Sequence, residues 1–219
     1  MIKLVAFDWN GVLIADARLH AQIVGEIQKH YGYPDVHPDT VRDLFEVPVS
    51  NMYRKLGWSE EEIEKESPAI QDRFHDLYER RAKTVRTRTG ARALLHWLRA
   101  RSIECVIFSN HTTEGIEAQL KRLHIGGYFQ HVIANDKYQA MKGKAKGDKL
   151  EAYLRARGYK GDEVLVVGDS PEEVEIGKHL GATTVAITGG YVSQRRLRAA
   201  NPDHLIHTLT GMIDIIKTL

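Results

Sequence analysis

Three short apolar runs in this chain each lead into a residue capable of oxygen chemistry. Leu4-Val5-Ala6-Phe7 is followed by Asp8, within Asp8-Trp9-Asn10-Gly11-Val12. Val106-Ile107-Phe108 is followed by Ser109, within Ser109-Asn110-His111. Leu165-Val166-Val167 is followed by Gly168-Asp169-Ser170-Pro171-Glu172-Glu173. In an open parallel sheet, ligands bind beyond the carboxyl ends of the strands. If these runs are neighbouring strands, two carboxylates, a hydroxyl and a nearby Glu face one crevice. Two carboxylates at one rim repel unless a cation lies between them, and hard oxygen donors with little else suit Mg²⁺. A carboxylate can also attack phosphorus, while a hydroxyl and a lysine hold the phosphoryl oxygens. Taken singly, each residue could equally be a turn or a helix cap. Their common register with strand ends is what points to a site.

The elements that must position them follow from periodicity. Ile2–Phe7, Ile103–Phe108, His131–Ala134, Val164–Val167 and Thr183–Ile187 are too short for helices and rich in β-branched or aromatic residues. Between them, Gly90–Ala100, Thr113–Leu123, Asp148–Arg157 and Leu209–Leu219 carry apolar residues at three-and-four spacing. That alternation predicts a doubly wound α/β fold with a parallel, Rossmann-like sheet. From about Leu13 to about Arg86 it lapses. Leu19/Ile23/Ile27, Val41/Leu44/Phe45 and Val49/Met52/Tyr53/Leu56 mark three helices. Ser59 with Glu62 is a capping-box pattern opening a fourth, Ile70/Phe74/Leu77 mark a fifth, and Pro68 is expected to separate those two. A βαβ crossover needs only about a dozen residues, so the excess predicts an inserted, all-helical domain. The expected division is an α/β core of residues 1–13 and 86–219 and a helical cap of residues 14–85.

Composition narrows the class. The chain has 219 residues, 42% hydrophobic and 27% charged, which excludes wholesale disorder. With 31 Lys and Arg against 29 Asp and Glu, the net charge of +2 gives no argument for nucleic acid or an anionic membrane. No apolar run approaches the roughly 18 residues of a membrane span. Met1-Ile2-Lys3 leads straight into a strand-like run, so no signal peptide is expected and a cytoplasmic location is. The single cysteine, Cys105, rules out an internal disulfide and a thiolate zinc site. It is expected to be an inert strand thiol.

In combination and order, Asp8-Trp9-Asn10-Gly11-Val12, Ser109-Asn110, a lysine within Lys142–Lys149, and Gly168-Asp169 with Glu173 resemble the haloacid dehalogenase superfamily. More narrowly, they resemble its phosphoglycolate-phosphatase-like members, which carry a helical cap between the first and second motifs. The resemblance implies that Asp8 is a nucleophile forming an aspartyl-phosphate and a Mg²⁺ ligand. It implies that residue 10 gives its main-chain carbonyl to the metal and normally a carboxylate as general acid and base. Ser109 then matches the phosphate-binding hydroxyl, helped by the Asn110 N–H. Asp169 matches a metal ligand, and Glu173 sits where an acid holds the metal's waters. Of Lys142, Lys144, Lys146 and Lys149, Lys146 fits the phosphate-binding lysine best and Lys144 second.

Position 10 departs from that pattern. Asn10 can keep the main-chain contact, but an amide cannot shuttle a proton, a role typically worth about 10²–10⁴-fold. This implies a slowed phosphatase, best with leaving groups that need no protonation, and disfavours mutase chemistry. Asn10 could be native with Asp16, His20 or His111 supplying the proton, an engineered substitution, or the mark of a chain that binds phosphate without turnover. Two rivals follow: a phosphonoacetaldehyde hydrolase-like enzyme, which needs a cap lysine such as Lys29, Lys55 or Lys83, and a non-catalytic phosphate-binding module. Dehalogenase chemistry is disfavoured by Asp169 and Glu173. Arg42, Arg54 and Lys55 could reach a substrate anion but read more simply as exposed helix charges. Tyr53 and Trp58 could shape a pocket but read first as core. Gly189-Gly190 reads as a turn, and Gln194–Arg198 as a solvated helix face. The expectation is a Mg²⁺-dependent phosphatase for a small phosphorylated metabolite, acting without nucleic acid or membrane, as a monomer or homodimer.

Overall fold

The structure, a computed structural model, describes residues 1–137 and 146–219. Six parallel strands form one sheet in the order β3-β2-β1-β4-β5-β6. They are β1 (Leu4–Phe7), β2 (Glu104–Thr112), β3 (His131–Asn135), β4 (Val164–Gly168), β5 (Thr183–Ile187) and β6 (His204–Ile206). The order reverses at β1, the central strand, which makes its carboxyl end the switch point of a doubly wound fold. Register places Phe7 opposite both Ile107 and Val167. The residues following these positions therefore leave the sheet at one edge.

The strands are apolar throughout because both faces are covered. Val5, Phe7, Ile107, Leu165 and Val167 pack with helices α5 (Ala91–Arg99), α6 (Thr113–Leu123) and α10 (Met212–Thr218). Leu4, Ala6, Val106, Phe108 and Val166 face the other way, onto Leu150 and Leu154 of α7 (Lys146–Arg157). The remaining core helices are α8 (Pro171–His179) and α9 (Gln194–Ala199).

Helices α1 (Ala17–His30), α2 (Pro38–Leu44), α3 (Ser50–Lys55) and α4 (Glu60–Ala82) lie between β1 and β2. The connections into and out of this segment run side by side, with Ile14 bridged antiparallel to Thr87. A third apolar cluster joins Ile23, Ile27, Met52, Ile70 and Phe74 of these helices to Val174, Ala186, Tyr191 and Leu197 of the sheet side. The insert is thus packed on the carboxyl edge of the sheet.

Four elements differ from expectation. Pro68 does not divide two helices; it lies inside the single helix α4. An interior proline costs about 3 kcal/mol, but Pro68 is exposed, and the buried stripe Ile63, Ser67, Ile70, Phe74, Tyr78 and Ala82 passes it without losing register. The Ser67 hydroxyl also donates to the Ile63 carbonyl on the buried side. Strand β6 was not anticipated; His204-Leu205-Ile206 is too short and too polar to signal one. The β2 strand continues past Phe108 to Thr112, with an irregular register against β3, so Ser109 lies within its bulged end. At the other extremity, Leu209–Leu219 divides into a 3₁₀ turn, Leu209–Gly211, and α10.

Candidate active site

Asp8 is held at the edge by its own backbone, whose N–H donates to the Val167 carbonyl at 2.9 Å. The chain then turns through Gly11, at φ +71°, where a Cβ would lie 2.0 Å from Asp169 Oδ2. Only glycine permits that approach. Gly190 meets the same carboxylate from β5's side, with a Cβ position 1.9 Å from Oδ2. Just beyond, the Tyr191 N–H donates to Asp169 Oδ2 at 2.5 Å. The expected turn at Gly189-Gly190 is therefore also part of the cradle around Asp169.

Opposite, Ser170 caps α8 through a capping box. Its N–H donates to Glu173 Oε2 at 2.8 Å, while Glu173 Oε1 accepts from Lys146. Lys146 is the first residue of α7 and is buried. Its ammonium also lies 3.4 Å from Asp8 Oδ1 and 3.4 Å from Glu172 Oε2. Burial alone would lower its pKa, but Asp8, Glu172 and Glu173 outweigh burial and hold it well above the ordinary lysine value. Glu172 was not anticipated. It resembles any first-turn acid placed to complement a helix dipole, yet it is buried and accepts from Asn110 Nδ2 at 3.0 Å. The Asn110 carbonyl is in turn held by Asn135 Nδ2 at 2.9 Å. Ser109 is buried beside them, its hydroxyl accepting the His111 N–H at 3.3 Å.

The floor thus brings together Asp8, Ser109, Asn110, Lys146, Asp169 and Glu173. Lys144 and Lys142 lie outside the described residues. Burial raises the pKa of Asp8 despite the opposing pull of Lys146. Burial, then Asp8 and Glu173, raise that of Asp169 well above the carboxylate range. Among the described residues no three acidic, histidine or cysteine side chains form a ready-made metal cage. Glu173 is already engaged by Ser170 and Lys146. Two buried carboxylates whose ionisation is opposed by burial and by nearby negative charge nevertheless fit a divalent cation between them, and their oxygen chemistry fits Mg²⁺.

Behind the floor, Asp16 is fully buried and surrounded by donors. The Gly11 N–H reaches its Oδ1 at 2.7 Å. Asn10 Nδ2, the Tyr78 hydroxyl and the Tyr191 hydroxyl reach its Oδ2 at 2.7, 2.6 and 2.8 Å. Asn10 Nδ2 also donates to the Tyr78 oxygen at 2.7 Å. Asp16 does not line the pocket.

The roof of the pocket comes from the insert. The space, about 860 Å³ with its open mouth, is lined above the floor by Val24, Phe45, Val49, Tyr53, Ile70 and Phe74, together with His20. His20 stacks on Tyr191 at 4.2 Å, and burial lowers its pKa to about 3. Trp58 is packed among Tyr31, Tyr33 and Tyr53 instead of lining the pocket. Arg42, Arg54 and Lys55 do not line it either. Arg42 donates to the Gly190 carbonyl at 3.0 Å, Arg54 pairs with Glu60, and Lys55 pairs with Glu46. Lys29 and Lys83 are likewise exposed and away from it, so no insert lysine stands where a Schiff base would form. Arg195 and Arg196 reach Asp43 of the insert, so α9 ties the two parts together instead of being only a solvated face. Cys105 is buried, and burial pushes its thiol up to about 12, an unreactive state.

A sequence profile of haloacid dehalogenase-like hydrolases matches residues 5–187. The chain belongs to that family. Its relatives include a phosphoglycolate phosphatase of Synechococcus elongatus, 24% identical over 218 residues, covering 100% of this chain and 99% of the relative. A phosphoglycolate phosphatase of Vibrio parahaemolyticus is 22% identical, covering 98% of this chain and 96% of its own length. A haloacid dehalogenase-like hydrolase from Streptococcus pneumoniae shares the fold, with a TM-score of 0.80 at 19% identity over 98% of each chain. Among the described residues no helix is long and apolar enough to cross a membrane.

Proposed function

We propose that this hydrolase is a Mg²⁺-dependent phosphatase that cleaves a small phosphate monoester through an aspartyl-phosphate on Asp8. The observation that carries the reading is the Lys146 ammonium 3.4 Å from the Asp8 carboxylate, with Ser109 and Asp169 buried around the same pocket. Mg²⁺ would be held by the Asp8 and Asp169 carboxylates and the Asn10 main-chain carbonyl, with Glu173 toward its waters. When bound, it offsets charge on the transferring phosphoryl group.

The side chains supply the rest. Asp8 attacks phosphorus, and the bond to the leaving oxygen breaks. Lys146 and the Ser109 hydroxyl stabilise the phosphoryl oxygens, and the Asn110 N–H adds a donor. Water then attacks the aspartyl-phosphate, releasing phosphate and regenerating Asp8. The insert, residues 14–85, acts as a lid over the core of residues 1–13 and 86–219, excluding water while the ester is bound.

Phosphate release from a broad panel of monoesters, with Mg²⁺ and with EDTA, tests this. Mg²⁺-dependent release that Asp8→Asn abolishes is the expected result. Release unaffected by EDTA or by Asp8→Asn would overturn it. Mg²⁺-dependent binding of phosphate without release from any ester would instead identify a binding module.

A further inference from the structure

Two independent features of the pocket restrict what can leave when phosphorus is attacked. The first is the roof. Val24, Phe45, Val47, Val49, Ile70 and Phe74 present hydrocarbon to the space above Asp8, and the polar side chains that the insert adds, His20, Tyr53, Gln71 and Tyr78, carry no positive charge of a lysine or arginine. Among the described residues, Lys146 is the only lysine or arginine lining the pocket. It is already enclosed by Asp8, Glu172 and Glu173. The roof cations nearest in sequence are turned to Gly190, Glu60 and Glu46. Among the described residues, an anionic leaving group would lose its water here without gaining a cationic partner beyond Lys146, a desolvation that opposes binding.

The second feature is how the protons around position 10 are used. Both Asn10 amide hydrogens are given away, to Asp16 and to Tyr78. The Tyr78 hydroxyl proton goes to Asp16. His111 accepts the Thr112 N–H on Nδ1 at 2.6 Å, and its Nε2 lies 3.3 Å from Glu79. His20 faces the pocket but is neutral near pH 7, since burial lowers its pKa to about 3. Asp16 is behind the floor, outside the pocket lining. Of the three candidates for replacing a carboxylate at position 10, Asp16 lies behind the floor, neutral His20 offers only a weakly acidic ring N–H, and His111 Nε2 faces Glu79, so none matches a carboxylic acid as proton donor to a departing oxygen.

Resting on the phosphatase reading above, we infer that the substrate class is an ester of phosphate with an uncharged, apolar and acidic hydroxyl, an aryl or enol phosphate, and not a glycolate-like alkyl phosphate. In the step, an Asp8 oxygen forms a bond to phosphorus as the ester P–O bond breaks. The electron pair leaves on the aryl oxygen as a phenolate, stable enough to depart unprotonated and to take its proton later from solvent. Water then attacks phosphorus; the acyl-phosphate P–O bond breaks, Asp8 recovers its carboxylate, and the water's proton leaves with the phosphate or to solvent. The relatives named for phosphoglycolate are therefore a poor guide to this pocket's leaving group.

Three esters separate the two features. Phenyl phosphate has an apolar leaving group with a pKa of about 10, that of a tyrosine hydroxyl. Benzyl phosphate is equally apolar but leaves as a basic alkoxide. Phosphoglycolate is both basic and anionic. With Mg²⁺, kcat/KM for phenyl phosphate should exceed that for benzyl phosphate by about 10²–10⁴-fold, the span of a missing general acid. Benzyl phosphate should exceed phosphoglycolate by about tenfold or more. The double variant Asn10→Asp/Asp16→Asn, which moves the carboxylate forward without pairing it against another, should narrow the phenyl-to-benzyl ratio. Phosphoglycolate turnover matching that of phenyl phosphate would overturn the inference while leaving the phosphatase reading intact. If no ester is hydrolysed, that reading fails and binding decides the leaving-group inference. Calorimetry should then show phenylphosphonate binding at least tenfold tighter than phosphonoacetate, and equal or reversed affinities would sink it.

Discussion

The floor of the pocket gathers Asp8, Lys146, Asp169, Glu172 and Glu173, whereas the roof offers Val24, Phe45, Val49, Ile70 and Phe74. Floor residues stand at strand ends and helix starts, where the sheet register and the capping of α8 fix them to one another. Buried charges in such numbers oppose folding unless they are paired, so the floor trades stability for reactivity. Ile70 and Phe74 of the roof belong to the cluster that holds the insert together. There, stability and shape come from the same atoms. The two walls should therefore respond to substitution in opposite ways.

The sharpest contrast is expected at Asp8. Asp8→Asn removes the nucleophile and should lower kcat by about 10⁴-fold or more, the scale seen when a nucleophile is lost. Because it also removes one of several buried like charges, urea unfolding in EDTA should show stability unchanged or higher. A large loss of stability would break the comparison.

Lys146→Met tests the same floor from the cationic side. Losing a donor to the phosphoryl oxygens should lower kcat/KM by about 10²–10³-fold. It should also destabilise the fold by about 3–5 kcal/mol, because Glu172 and Glu173 are left buried without their counter-ion. Adding Glu173→Gln should recover part of the stability, read from the urea midpoint, and none of the activity.

For the roof, Phe74→Leu keeps apolar volume while removing an aromatic face that lies 5.9 Å from the Tyr78 ring. We expect a loss of about 1–2 kcal/mol in stability and a fall in kcat/KM for aryl phosphates of less than about tenfold. Losing activity on the floor's scale without losing stability would mean that Phe74 acts in the chemistry and not as a wall.

The same division governed what could be read from residues alone. Asp8, Ser109 and Asp169 were legible because strands buried on both faces are continuous apolar runs, and the first polar residue after such a run marks the sheet edge. Glu172 was not, because a first-turn acid after Ser-Pro is ordinary helix chemistry until Lys146 is seen beside it. The α4 stripe was visible at Ile70 and Phe74, but its continuity through Pro68 depends on tertiary packing that overrides propensity. Which apolar residues of that stripe face a pocket and which face core is decided by helix packing, as Tyr53 and Trp58 illustrate: both are buried, yet only Tyr53 lines the cavity. In the Asn10–Asp16–Tyr78–Tyr191 network, Asp16 was within reach of Asn10 by sequence, but Tyr78 and Tyr191 come from two distant segments and left no local pattern to find.

The smallest effect should come from His20, the histidine placed within the largely apolar roof. Its ring meets Phe45 at 5.0 Å, Phe74 at 5.5 Å and Tyr191 at 4.2 Å. Burial lowers its pKa from 6.5 to about 3. Below pH 6.5 the unfolded chain therefore takes up a proton that the folded chain refuses, so stability falls as pH falls. The slope is about 1.4 kcal/mol per pH unit until the folded group itself titrates near pH 3. Relative to pH 7.5, this group alone should remove about 2 kcal/mol at pH 5. His20→Phe keeps an aromatic ring against the same three neighbours and has no proton to refuse. Urea unfolding of both proteins at pH 7.5 and pH 5 should show the natural chain losing about 2 kcal/mol more than the variant. Parallel losses would mean that the roof admits water to His20, and that the dry surface attributed to it does not exist.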